Sequence, residues 1–172
     1  MVSFRPRLGR IALPLALATV VGVSLSVSAG TARAQTGRDL KTIDVCRIVP
    51  GEAVAAAVGG KLAEARPFTP KPPTFSRCTY MVDVPGAAQA ARKGFALWFY
   101  PPADFEELRK YTEGKVTDIP GLGDGAYGFQ DPGDGRFKIR VLKRGDVAIE
   151  ASADTADAAR KVAGVAVARL AK

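Results

Sequence analysis

Short stretches of the chain that alternate between hydrophobic and polar residues, or are apolar throughout, predict strands. In residues 75–84, Cys78 and Tyr80 fall on one side while Arg77 and Thr79 fall on the other. A period of two is typical of a β-strand with one buried face. The pattern therefore predicts a strand here, with Cys78 on its buried side. Four further strands are predicted at residues 95–100, 126–129, 137–142 and 147–151.

Helical spacing predicts three helices. The first is a short Ala-rich helix from Pro50 to Val58, stopped by Gly59-Gly60. The second begins at Asp104, where Asp104-Phe-Glu-Glu107 resembles a capping box. The third begins near Asp154 or Thr155. Its apolar stripe recurs at three- and four-residue intervals and comprises Ala159, Val162, Ala163, Ala166, Val167 and Leu170.

The order of these elements predicts the fold class. Prolines at 67, 70, 72 and 73 make the segment between the first helix and the first strand a stiff extended loop. We therefore expect an α+β fold: an antiparallel, meandering sheet of about five strands, with helices packed mainly on one face. Residues 43–172 form a single α+β domain, large enough to bury a core.

The first 34 residues have the three parts of a secretory signal peptide. Arginines precede an apolar run over residues 11–29, and Ala32-Arg33-Ala34 offers small side chains where a signal peptidase cuts. The alternative is an uncleaved membrane anchor, for which the run is near the lower limit of about 18 residues. Cleavage would leave residues 35–42 as a flexible N-terminal tail and no stable membrane insertion, and Cys46 lies too far from the cut to be lipid-modified. We expect an exported protein, either periplasmic or secreted.

Export changes the charge and the state of the cysteines. The net charge of +8 includes four arginines within the first 34 residues and no acid there, so the remaining chain carries +4. A balance this small indicates an ordinary surface and no nucleic-acid partner. The two cysteines, Cys46 and Cys78, have no Cys-x-x-Cys spacing and no histidine to complete a metal site. In an oxidising compartment they are predicted to form a disulfide.

Candidate catalytic and cofactor motifs are weak. Gly123-Asp-Gly-Ala-Tyr-Gly128 matches a dinucleotide fingerprint, but no strand-helix unit surrounds it, so we interpret it as a turn. The clustered acids Asp124, Asp131 and Asp134 lack the spacing of a calcium loop. A chain without histidine cannot build a Ser-His or Cys-His pair. We therefore predict no metal, no cofactor and no enzymatic activity.

The sheet face turned away from the helices carries a more suggestive set of side chains. Two aromatic residues among three basic ones predict a surface for an anionic or carbohydrate ligand. The alternative is that a helix or the Pro-rich loop simply covers the aromatic residues. The candidate ligand face comprises Arg77, Trp98, Tyr100, Lys138 and Arg140.

Several motifs, in order, resemble a known family. They are Asp44-Val-Cys46-Arg-Ile-Val-Pro50-Gly-Glu52, Cys78-Thr-Tyr80, Ile119-Pro-Gly-Leu-Gly-Asp-Gly-Ala126 and the Ala-rich final helix. Over about residues 43–171 the chain resembles exported actinobacterial proteins of the domain of unknown function 3558 type, many of which are lipid-anchored in the cell envelope. The resemblance implies that the two cysteines pair, and it supplies no catalytic residues. This chain departs from the family in lacking a lipid-modification cysteine at the cut.

Together these features predict a non-enzymatic, extracytoplasmic binding or interaction domain of the cell envelope. Its partner would be an envelope protein or an anionic or carbohydrate ligand. One alternative is a structural or accessory secreted protein with no small ligand. The other is a hydrolase of unfamiliar type.

Overall fold

The computed structural model describes residues 39–40, 42–71, 74–86 and 91–171. The chain divides into two units, Met1–Arg33 and Ala34–Lys172, and every described residue belongs to the second. The predicted signal peptide therefore lies outside the described residues, as does most of the predicted tail. Leu40, within that tail, is buried, and its carbonyl accepts a hydrogen bond from the Ser76 hydroxyl at 3.1 Å.

The described residues form four helices and seven strands. In chain order they are α1 (Val45–Ile48), α2 (Gly51–Ala57), β1 (Lys61–Phe68), β2 (Ser76–Val84), β3 (Ala91–Tyr100), α3 (Asp104–Lys110), β4 (Thr117–Asp118), β5 (Gly125–Gln130), β6 (Phe137–Lys143), β7 (Val147–Ala153) and α4 (Ala156–Leu170).

All seven strands belong to one antiparallel sheet with the order β1-β2-β3-β7-β6-β5-β4. Two meanders, β1–β3 and β4–β7, join where β3 pairs with β7. The predicted α+β arrangement with antiparallel strands is present, but the expected count of about five strands is wrong. The two missed strands, β1 and β4, are the edges of the sheet. Pro67 lies within β1, and an edge strand tolerates a proline because one side of its backbone has no partner.

The helices begin close to where the sequence predicts, with one difference in capping. Thr155 caps α4, and its hydroxyl accepts a hydrogen bond from the amide of Ala158 at 3.2 Å. The predicted capping box at Asp104 is wrong, because Asp104 is already helical and Ala103, at the cap position, makes no side-chain hydrogen bond. The single turn of α1 was not predicted.

One face of the sheet, here called the helix face, carries the main apolar core. It presents Leu97, Ile139 and Ile149, and α1, α2 and α4 pack on it. Small residues on α4 let its backbone approach the sheet closely. The buried residues of α4 are Ala159, Val162, Ala163 and Ala166.

The opposite face, here called the charged face, carries the residues of the other parity, among them Arg77, Glu150 and Arg140. The helix α3 packs here through Phe105, whose ring centroid lies 5.3 Å from that of Tyr127. Helices α1, α2 and α4 therefore share one face, which agrees with the prediction of helices mainly on one face, whereas α3 packs on the other.

A disulfide joins Cys46 in α1 to Cys78 in β2, with a Cα–Cα distance of 5.2 Å. The predicted pairing is therefore present. The buried Tyr80 hydroxyl reinforces the same junction by donating to the carbonyl of Val49 at 2.8 Å. The first helical turns are thus fixed to the centre of β2. In the described part of the chain, no helix is long and apolar enough to cross a membrane.

Removing the disulfide should destabilise the fold measurably. The two cysteines are 32 residues apart, and a loop of that length corresponds to about 3–4 kcal/mol. We expect Cys46→Ala/Cys78→Ala to lower the free energy of unfolding in urea by about that amount. Dithiothreitol should lower the stability of the wild-type protein similarly and leave the double variant unchanged. Wild-type stability that does not respond to reductant would contradict the prediction.

Candidate functional site

All five residues of the predicted ligand face lie on the charged face of the sheet. Arg77 comes from β2, Trp98 and Tyr100 from β3, and Lys138 and Arg140 from β6. The register of β2, β3, β7 and β6 brings their side chains to the same side, as expected from alternating side-chain direction. Their surroundings differ, however, and divide them into two groups.

A single row of directly opposed residues crosses the charged face, with one residue from each strand. Neighbours in such a row have Cβ atoms about 4.5–5.5 Å apart and therefore interact. Charged and aromatic side chains fill this cross-strand row from edge to edge. In sheet order it comprises Phe68, Arg77, Trp98, Glu150, Arg140, Tyr127 and Asp118.

A buried ion pair between Arg140 and Glu150 occupies the middle of this row. Nε of Arg140 lies 2.5 Å from a carboxylate oxygen of Glu150, a residue that is only 3% exposed. Nη1 of Arg140 donates to the carbonyl of Leu108 and to the hydroxyl of Thr112, each at 2.7 Å. Since Leu108 lies in the last turn of α3 and Thr112 directly follows its C-cap, Arg140 fastens the end of that helix to the sheet.

The electrostatics of the pair keep Arg140 charged. Burial alone lowers the pKa of Arg140, but the negative charge of Glu150 and hydrogen bonds with Tyr127 and Glu150 outweigh it and raise the pKa. The guanidinium carbon also lies 4.9 Å from the centroid of the Phe129 ring. Arg140 is thus enclosed by partners on several sides.

The basic residues beyond Arg140 are neutralised as well. Arg109 of α3 forms a 2.8 Å ion pair with Asp118, at the β4 end of the row. The ammonium of Lys138 binds Asp131 and lies 3.5 Å from Asp134, and its side chain is only 15% exposed. The hydrogen bond from Lys138 is also the main reason that the pKa of Asp131 is lowered. Lys138 and Arg140 therefore act mainly as structural residues.

The other end of the row is different. Arg77 takes part in none of the ion pairs between described residues. Its guanidinium carbon lies 4.8 Å from the ring centroid of Phe68 and 5.9 Å from that of Trp98. Its Nε is buried without a hydrogen-bond partner in the described part of the chain.

Aromatic rings surround this arginine. Phe75 bridges Phe68 and Tyr100, with centroid distances of 6.1 and 5.8 Å. Burial and, secondarily, the charge of Glu150 raise the pKa of Tyr100, so its hydroxyl stays protonated. Phe68 is 46% exposed. This group, here called the Arg77 cluster, comprises Phe68, Phe75, Arg77, Trp98 and Tyr100.

Two cavities adjoin the covered end of the charged face. One of about 300 Å³ is lined by Asp104, Glu107, Leu108, Tyr111 and Arg140, and a second of about 200 Å³ shares Tyr111 and Arg140. Asp104 and Glu107 give the larger cavity an acidic wall. Glu107 is exposed to solvent on α3, and nothing in the local sequence shows that this helix lies over Arg140.

The glycine motif and the clustered acids have structural explanations. Gly123 has a φ of +64°, and a Cβ there would lie 2.7 Å from the carbonyl oxygen of Leu142. Gly123 and Asp124 thus form the approach to β5, and the rest of the motif lies within that strand, so it is not a strand-to-helix phosphate loop. Asp124 and Asp131 each accept a backbone amide at 2.8 Å, from Arg144 and Gly133 respectively.

No family model, curated protein or solved structure matches this chain. The function is therefore inferred from the geometry of the charged face.

The buried pair predicts a strongly non-additive double-mutant cycle. Arg140→Met or Glu150→Leu alone leaves one buried charge unpaired and should lower the free energy of unfolding by about 3–5 kcal/mol. The double variant should recover most of that loss, because neither charge remains buried. Equilibrium urea unfolding of the wild type, the two single variants and the double variant gives these free energies.

The matched control is the exposed cross-strand pair Asp83–Arg92, whose N–O distance is 3.0 Å. Exposed pairs contribute about 0–1 kcal/mol, so Asp83→Leu, Arg92→Met and their double variant should all have small effects. Additive losses at Arg140 and Glu150 would contradict the role assigned to the pair.

Proposed function

We propose that this protein is a non-enzymatic, extracytoplasmic binding domain of the cell envelope, and that the Arg77 cluster binds an acidic carbohydrate. The observation that carries the proposal is the contrast between the arginines at the two ends of the charged face. Arg109 and Arg140 have carboxylate partners, whereas Arg77 has none among the described residues. A ligand carboxylate would provide the missing partner.

The chemistry of the cluster suits this ligand class. A guanidinium presents a planar set of donors that matches a carboxylate in a bidentate manner. Exposed or half-buried rings of Phe68 and Trp98 border it and offer flat apolar surfaces to a sugar ring. An acidic sugar combines these two features in a single residue.

The cellular setting rests on separate support. The disulfide between Cys46 and Cys78 is compatible with an oxidising compartment. The N-terminal pattern of a signal peptide and the resemblance to exported proteins of the domain of unknown function 3558 type favour the same compartment. We therefore propose release into the periplasm or the extracellular space after signal cleavage.

The second candidate is a structural or accessory role without a small ligand. The position of α3 favours it, because this helix packs over the Arg140 end of the charged face and takes up the hydrogen-bonding groups of Arg140. Ligand titration distinguishes the two candidates.

Trp98 is the only tryptophan of the chain and reports directly on the cluster. We expect trigalacturonic acid to change its fluorescence saturably, and the methyl ester of the same oligosaccharide to bind far more weakly. Arg77→Gln should weaken acid binding by about tenfold or more, since a hydrogen bond to a charged group contributes about 1.5–3 kcal/mol.

Arg160→Gln, on the solvent side of α4, is the matched control and should leave the affinity unchanged. Equal affinity for the acid and its ester would contradict the proposal, as would unchanged binding by Arg77→Gln. A folded protein that binds neither oligosaccharide would favour the structural role.

A further inference from the structure

A separate cavity of about 380 Å³ lies at the β4 edge of the sheet, away from the Arg77 cluster. Small-molecule sites span about 300–1,000 Å³ and are lined mainly by apolar groups with a few polar ones. The cavity has that character. Its side-chain walls include Lys115, Thr117, Ile119, Phe137, Ile139 and Ala156.

The cavity exists because α4 does not extend over the whole helix face. This helix packs on β7, β6 and β3, and its first residue, Ala156, borders the cavity. Ile119 and Phe137 pack against the main core from beyond the edge of the helix and remain only partly buried. Apolar side chains are therefore open to a ligand between α4 and the edge strand β4.

A glycine lies at the base of the cavity. A Cβ on Gly128 would lie 3.1 Å from Cδ1 of Ile119 and 3.5 Å from Cγ1 of Ile139. The absence of a side chain at Gly128 lets both isoleucines approach the β5 backbone. Thr117, which pairs with Gly128 across the strands, forms the outer wall.

The charged residues that line the cavity are both basic. They are Lys115 and Lys138, and no carboxylate among the described residues lines it. Lys138 belongs by strand parity to the charged face, where its ammonium binds Asp131. Lys115 is exposed and takes part in none of the ion pairs between described residues. An anionic group at the cavity mouth would meet this lysine.

We propose that this cavity binds a free, single-chain amphiphile with an anionic headgroup. The alkyl chain lies against Ile119, Phe137 and Ile139, and the headgroup pairs with Lys115. This site is independent of the Arg77 cluster, because it lies on the other face of the sheet and near its opposite edge.

The test compares two amphiphiles of equal chain length and opposite charge, both kept monomeric: dodecanoate and dodecyltrimethylammonium. Isothermal titration should show dodecanoate binding to one saturable site and the cation binding at least about fivefold more weakly. Lys115→Glu should weaken dodecanoate binding by about fivefold. Lys61→Glu changes the net charge equally at the other edge of the sheet and should have no effect.

Variants that fill the cavity test whether the amphiphile binds there. Thr117→Phe on the exposed edge strand should abolish dodecanoate binding, and Ala156→Leu should weaken it from the opposite wall. Circular dichroism confirms that each variant is folded. Trigalacturonic acid should bind all of these variants as it binds the wild-type protein if both sites exist, and dodecanoate should bind Arg77→Gln normally.

The proposal is overturned by equal affinity for the two amphiphiles, or by folded Thr117→Phe and Ala156→Leu variants that bind dodecanoate unchanged. The proposal would also be overturned if the protein sedimented with phosphatidylglycerol vesicles but did not bind dodecanoate, because that result would indicate a membrane surface as the partner.

Discussion

The buried pair of Arg140 and Glu150 is the interaction on which the charged face depends. Glu150 is nearly inaccessible to solvent, so its charge requires a partner at close range. Arg140 provides that partner and at the same time binds the C-terminal end of α3. The pair thus holds α3 over the Arg140 end of the charged face, and its two charges neutralise each other at the centre of the cross-strand row. Arg77 remains as the cation of that row without a carboxylate among the described residues.

Alternating side-chain direction gives the sheet two faces that differ in their side chains. The helix face is apolar and is covered by α1, α2 and α4, with the disulfide and Tyr80 fixing the N-terminal helices. The charged face combines rings and ions in one row. Because α3 covers the Arg140 end and α4 stops short of β4, the Arg77 cluster on the charged face and the cavity beside Lys115 on the helix face are left uncovered by the described helices.

The central strands and the placement of five candidate residues on one face could be predicted, because both follow from a period of two. The edge strands could not, since β1 contains Pro67 and β4 has only two residues. The partners of Arg140 could not be predicted from the local sequence either, because Glu150, Thr112 and Leu108 are 10, 28 and 32 residues away along the chain. The strand register and the position of α3 in the folded protein give Arg140 its structural role and distinguish it from Arg77.

Charge-selective quenching of Trp98 fluorescence tests most directly whether the Arg77 end is open and cationic. The local positive potential of Arg77 should raise the ratio of the iodide to the caesium quenching constant above that of free N-acetyltryptophanamide at equal ionic strength. Arg77→Gln should lower this ratio towards that of the free compound, and acrylamide should quench both proteins. A tryptophan that acrylamide cannot reach, or a wild-type ratio that does not exceed that of the free compound, would contradict an exposed cationic binding surface.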